Sequence, residues 1–148
     1  MKKLFVTLIV IVAMVGFSTA FATEKMIEVS DATFLAETVN GIAFATGGVG
    51  IGERAAMSKI EKNYNVRIVF AVRSGAYLAN IKTVVSDPNR KVLLDLMANG
   101  PWVFVKVPPG KYKVTATCYT DSKAKEITVG NAPISVLFHW SNKEGEIR

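Results

Sequence analysis

The chain has 148 residues, of which 50% are apolar, 9% aromatic and 20% charged, and its formal net charge is +6. This is too rich in large apolar side chains for a disordered segment and too short for a multidomain machine, and the modest positive charge does not by itself argue for nucleic acid. A single cysteine, Cys118, excludes a disulfide framework within the chain.

Residues 1–22 read as an export signal. Lys2 and Lys3 give the positive start, and Leu4 to Phe17 is an apolar run broken only by Thr7 and Gly16. Ala20-Phe21-Ala22 supplies the small-x-small pattern that fits the cramped pocket of signal peptidase. The run is shorter than the roughly 20 residues a helix needs to cross a bilayer, so no stable membrane span is expected after cleavage. No Cys follows the run to carry a lipid anchor. The expected mature N-terminus is Thr23 and the expected compartment is the periplasm. The remainder is one domain in size and buries roughly two thirds of its surface on folding.

Residues 23–65 form an N-terminal segment. Ser30 suits the cap of a short helix over Asp31 to Thr38. Equally, Thr33 to Val39 and Ile42 to Ala45 suit two strands around the Asn40-Gly41 turn. Gly47-Gly48-Val49-Gly50 is a loop. From Glu53 to Tyr64 the apolar residues Ala56, Met57, Ile60 and Tyr64 share one helical face, which predicts an amphipathic helix.

After Asn65 the period changes to two, and residues 66–140 read as the core of a β-sandwich. Strands are predicted over Val66 to Val72, Tyr77 to Val85, Val92 to Leu96, Val103 to Val107, Lys111 to Tyr119, Lys123 to Val129 and Ile134 to Trp140. Asp87-Pro88-Asn89 and Asn99-Gly100-Pro101 are breaks, and Pro108-Pro109-Gly110 suits a wide turn or a corner between sheets better than a tight hairpin. About seven strands without a long crossover predict a mostly β, antiparallel sandwich of immunoglobulin-like or transthyretin-like type, with one N-terminal amphipathic helix. Residues 141–148 read as a frayed tail.

The stretch Gly100 to Ala116, with Pro108-Pro109-Gly110-Lys111-Tyr112-Lys113-Val114-Thr115-Ala116 at its centre, resembles the P-P-G-x-Y-x-V-x-A signature of carboxypeptidase regulatory-like domains. Asn40-Gly41-Ile42, Gly47-Gly48-Val49-Gly50, Tyr64-Asn65-Val66, Gly75-Ala76-Tyr77 and Phe138-His139-Trp140 are similar to a set of small exported bacterial proteins that carry this domain. The resemblance implies a transthyretin-like accessory sandwich without active-site residues, since the zinc site of metallocarboxypeptidases belongs to a separate domain.

Gly50-Ile51-Gly52-Glu53-Arg54-Ala55 matches the G-x-G-x-x-A pattern of dinucleotide-binding turns, with Arg73-Ser74 after the next strand. An exported chain with no second strand–helix unit argues instead that these glycines permit a tight loop. His139 is the only histidine, too few for a zinc site, and no G-x-S-x-G occurs. No catalytic residue, metal or cofactor is therefore assigned. Cys118 shares the apolar side of its strand with Tyr112, Val114 and Ala116, which predicts a buried, unreactive thiol. Lys123 and Lys125 mark a guarded edge strand, which weighs against strand addition to a partner.

The expected function is that of an exported non-catalytic binding module of the bacterial envelope; the alternative is a periplasmic hydrolase or an accessory subunit of one. The candidate interaction face depends on the Pro108–Gly110 turn. If it joins neighbouring strands, Trp102, Phe104 and Lys106 stand beside Lys111, Lys113 and Tyr119, an aromatic and basic face suited to an acidic glycan or an envelope protein. The competing expectation is that the helix covers Trp102 and Phe104 with Met57 and Ile60.

Overall fold

A computed structural model describes residues 25–29 and 32–141. The expected export signal, its cleavage after Ala22 and the tail past Ser141 lie outside the described residues.

The described chain is mostly β, with one short helix packed on an open two-sheet sandwich. In chain order the elements are β1 (Lys25–Val29), β2 (Ala32–Val39), β3 (Ile42–Gly47), α1 (Ile51–Ile60) with a 3-10 turn over Glu61–Asn63, β4 (Val66–Val72), β5 (Ile81–Ser86), β6 (Val92–Ala98), β7 (Trp102–Lys106), β8 (Gly110–Cys118), β9 (Asp121–Val129) and β10 (Ile134–Trp140). One sheet has the order β1-β2-β3-β7-β4-β10 and the other β6-β5-β8-β9.

The ambiguous segment before the helix is a hairpin, not a Ser30-capped helix. Asn40 and Gly41 have φ of 51° and 77°, the left-handed pair that a tight hairpin with matching twist requires. β2 and β3 pair through it from Val39↔Ile42 to Leu35↔Thr46. The preceding strand β1, over Lys25–Val29, has no counterpart among the expected elements. Helix α1 starts at Ile51, two residues ahead of the expected Glu53, and its last expected turn is the 3-10 segment Glu61–Asn63. The strand expected from Tyr77 starts only at Ile81. Gly75 and Asn80, both at positive φ, bend the chain between, and Tyr77 makes only an isolated bridge with Ala71.

The pairing is not wholly antiparallel. β10 runs parallel to β4, from Ile134↔Val66 to Trp140↔Val72. The crossover requirement applies to strands that follow one another, and here all of β5 to β9 lies between the two.

One face of the six-stranded sheet meets the four-stranded sheet. Ile42, Phe44, Ile68, Phe70, Val103, Val105, Phe138 and Trp140 pack from the first sheet against Ile81, Val85, Leu94, Val114 and Ala116 from the second. The opposite face of the six-stranded sheet holds a second core, in which Phe34, Ala36, Ala45, Trp102 and Phe104 pack against Ala56 and Met57 of α1. β3 and β7 alternate between two apolar environments, so both faces of β7 are buried and its period-two pattern carries no polar face until Lys106.

The chain leaves the first sheet at Val107 and enters the second at Gly110. The Asn65 side chain holds this corner as a backbone mimic: its Oδ1 accepts the Val107 N–H at 3.0 Å and its Nδ2 donates to the Val107 carbonyl at 2.6 Å. On the far side of the corner the Tyr112 hydroxyl donates to the Pro108 carbonyl at 2.6 Å. Pro108-Pro109-Gly110 is thus a corner between sheets rather than a hairpin.

Candidate binding face on the four-stranded sheet

The corner splits the candidate interaction face. Trp102 is 7% exposed and Phe104 fully buried; both lie beneath α1, on the six-stranded sheet. The two rings stack with centroids 6.0 Å apart, and the Arg67 guanidinium covers Trp102 from the outside, 4.3 Å from the ring centroid. Lys106 is exposed at the end of β7. Lys111 and Lys113 lie on β8 of the other sheet, and Tyr119, 65% exposed, sits in the β8–β9 turn, some 27 Å along from Lys111 at about 3.4 Å per residue. An amphipathic helix must bury its apolar stripe, and the aromatic side of β7 is the surface it covers.

Lys111 and Lys113 keep their place by strand alternation. Tyr112, Val114, Ala116 and Cys118 point into the core, which sends Lys111, Lys113, Thr115 and Thr117 to the outer face. The register brings Thr128 opposite Lys111, Glu126 opposite Lys113, and Ser86 of β5 beside Lys113 on the other side. Beyond β5 the turn Asp87-Pro88-Asn89-Arg90 closes with the Arg90 N–H on the Asp87 carbonyl at 3.0 Å. Arg90 takes φ of 65°, and the Asp87 carboxylate accepts the Lys91 N–H at 2.9 Å.

Turn and strands together line a concavity of about 710 Å³ that includes Ser86, Asp87, Arg90, Lys111, Lys113, Glu126 and Thr128. Three cations face two carboxylates across it. The ion pairs among the described residues are Arg67–Glu61, Lys82–Asp95 and Lys123–Asp121, and none of them uses Arg90, Lys111 or Lys113. Tyr112 lines the concavity but turns its side chain toward the core, where its phenol is pushed above the usual tyrosine range by burial and, secondarily, by the nearby Asp87 charge. It is a neutral hydrogen-bonding group across the neutral pH range. Ammonium, guanidinium and hydroxyl groups, outnumbering the two carboxylates, are able to hydrogen-bond an anionic, hydroxyl-bearing ligand.

Arg90, Ser86, Glu126 and Thr128 were not among the candidates. The Asp87-Pro88-Asn89 turn was legible, but the β5–β8 register that brings it beside Lys113 was not.

The G-x-G-x-x-A match has a structural use. The Glu53 carboxylate accepts the Val49 N–H at 3.1 Å and Arg54 donates to the carbonyls of Gly48 and Val49, so the loop is held by its own helix. A carboxylate at the helix start opposes a diphosphate there by like charge. Cys118 is buried on β8 and His139 exposed on β10, in different sheets. No group of three His, Cys, Asp or Glu side chains able to hold a metal ion occurs among the described residues.

Neither a scan against protein-family models nor a search of curated proteins finds a match to the chain.

Proposed function

We propose that the protein is an exported, non-catalytic binding module of the bacterial envelope, with a transthyretin-like sandwich whose four-stranded sheet receives an acidic glycan on its outer face. The observation that carries this reading is the concavity in which Arg90, Lys111 and Lys113 stand among Ser86, Thr128, Asp87 and Glu126 and form no ion pair among the described residues. A protein partner would call for apolar or aromatic anchors at the centre of the face. The groups around this centre are instead mostly polar, three cations and the hydroxyls of Ser86, Thr115 and Thr128 against the two carboxylates of Asp87 and Glu126, an excess of positive charge that suits carboxylated sugars.

The strand partition weighs against the immunoglobulin constant-type side of the fold expectation. The immunoglobulin constant-type pattern places strands A, B, E and D on one sheet against C, F and G. Counting β4 to β10 as the seven core strands, the first, fourth and seventh share a sheet here, and the second, third, fifth and sixth share the other. The export part of the reading rests on Lys2-Lys3, the apolar run and Ala20-Phe21-Ala22. A hydrolase finds less support, because Cys118 and His139 stand on different sheets.

The test is retention on immobilised polyuronate against a neutral polysaccharide, for the unaltered chain and for the double variant Lys111→Glu, Lys113→Glu. Both lysines are exposed, so the variant keeps its stability within about 1 kcal/mol. Retention on polyuronate alone, lost in the variant and weakened by salt, is the expected result. Equal retention of both proteins overturns the assignment of the face.

A further inference from the structure

Four of the large apolar side chains left in water lie at one end of the sandwich, while Val92, Met97 and Leu137 are exposed on strands β6 and β10. Val49 is 63% exposed, Ile51 81%, Tyr77 50% and Tyr119 65%. The topology brings them together. β3 ends at Gly47 opposite Trp102, β4 ends at Val72 beside Trp140, and β8 turns into β9 at Cys118↔Asp121. The indole N–H of Trp140 reaches the Asp121 carbonyl at 3.4 Å, which ties the β8–β9 turn to the same end. The loops after β3 and β4 and the β8–β9 turn therefore share one rim.

This rim is ordered by its own contacts. Arg54 donates from Nη1 to the Gly48 carbonyl at 3.0 Å and to the Val49 carbonyl at 3.2 Å. The same guanidinium lies 5.4 Å from the centroid of the Tyr77 ring, so it links the two loops that carry Val49 and Tyr77. The cost of holding apolar side chains in water is met at a fixed site, which is how a preformed docking tip differs from a floppy loop.

Charge tells what the tip docks on. Arg54 and Arg73 accompany the apolar groups, and Arg73 is exposed. The neighbouring acids are engaged: Glu53 accepts the Val49 N–H, and Asp121 lies 3.9 Å from Lys123. Two aliphatic side chains set beside glycines, two tyrosines with their amphipathic rings, and two arginines share this rim. That combination matches the boundary between lipid headgroups and acyl chains, where aliphatic groups enter, tyrosines sit at headgroup level and arginines meet phosphate.

We infer that this rim, led by Val49 and Ile51 and flanked by Arg54 and Arg73, docks the protein on the surface of a lipid bilayer containing anionic phospholipid. The inference is independent of the glycan reading, because the rim and the sheet concavity share no residue and the basic concavity lies at the opposite end of β8.

The test places an environment-sensitive fluorophore on the full chain carrying Ile51→Cys, with Lys62→Cys, exposed on the 3-10 turn that follows the helix, as the control; the native Cys118 is buried and takes no label. A local probe reads the rim whether or not residues 1–22 are present. With vesicles of phosphatidylethanolamine and phosphatidylglycerol, the emission at position 51 shifts to the blue and that at position 62 does not. Val49→Ser reduces the lipid concentration dependence of that shift several-fold. A shift of equal size on wholly zwitterionic vesicles overturns the anionic assignment. No shift at position 51, an equal shift at position 62, or a shift at 51 produced by envelope proteins without lipid overturns the docking itself.

Discussion

The ammonium of Lys125 donates to the carbonyl of Leu137 at 2.6 Å, joining the outermost strand of one sheet to the outermost strand of the other. Lys125 lies opposite Val114, on the side of β9 that faces the sandwich interior, and its ammonium stands 5.5 Å from the centroid of the Phe138 ring. An inward-facing charge is one of the devices that keep an edge strand from pairing with another chain. Here it also occupies a carbonyl of β10.

Lys125→Ala is therefore expected to have two effects of unequal size. The lost hydrogen bond is exposed, so stability falls by only about 1 kcal/mol, measurable in urea unfolding. The larger effect is self-association, because the variant removes one of the two inward-side lysines of β9 and frees the Leu137 carbonyl of β10; light scattering at rising concentration should show oligomers that the unaltered chain does not form. A variant that stays monomeric at the same concentrations would show that Lys125 does not guard these edges.

Trp102 supplies the opposite case, a residue whose importance is to the core. Trp102→Ala removes a ring held between Phe104, Met57 and the Arg67 guanidinium and is expected to cost about 3–5 kcal/mol. Its indole N–H is buried without a partner among the described residues, so Trp102→Phe forfeits no hydrogen bond seen there and should cost distinctly less. Retention on polyuronate should survive in Trp102→Phe, since the basic concavity belongs to the other sheet. Loss of retention in a folded Trp102→Phe variant would return this residue to the binding face.

The contrast shows what the sequence could and could not reveal. The alternation of Tyr112, Val114, Ala116 and Cys118 against Lys111, Lys113 and Thr115 was legible because it is local to one strand with one wet face. The fate of Trp102 and Phe104 stayed open between an outward face and cover by the helix with Met57 and Ile60, the second being what the structure shows, because β7 is buried on both sides and nothing local tells a core aromatic beneath a helix from an aromatic on a surface. The parallel pairing of β4 with β10 was hidden for a related reason: it joins strands 60 or more residues apart, and period-two patterning carries no partner information. The Asn40-Gly41 turn, by contrast, states its own backbone conformation.

Cys118 gives a prediction in pH. Burial, reinforced by the nearby Asp121 charge, raises its thiol above the ordinary range. The fold therefore holds the proton more tightly than the unfolded chain. This contribution to stability is complete below the usual thiol pKa of about 8.5 and is lost as pH rises through the folded value. Tyr112 and Tyr64 are raised by burial too and act in the same direction above about pH 10. The urea midpoint should fall as pH rises from 8 to 11, and the native thiol should label slowly at pH 8 and migrate as a monomer without reductant. Rapid labelling of the native protein would contradict the burial.

Two glycines at the docking rim respond in opposite ways to the same methyl group. Gly100 lies against the backbone of Gly47, and a Cβ there would overlap the Gly47 carbonyl, so Gly100→Ala must push apart the loops that follow β3 and β6. Backbone cannot rotate away as a side chain can, and an overpacking cost of about 1–3 kcal/mol is expected. Gly52 sits in the first turn of α1 with open space around its Cβ position. Gly52→Ala adds helix propensity and restricts the unfolded chain, which should stabilise by about 0.5–1 kcal/mol. Thermal unfolding of the two single variants should thus move in opposite directions. If Gly100→Ala unfolds at the temperature of the unaltered chain, the close approach of Gly100 to Gly47 is not part of the native packing, and the ordered rim that carries Val49 and Ile51 loses its support.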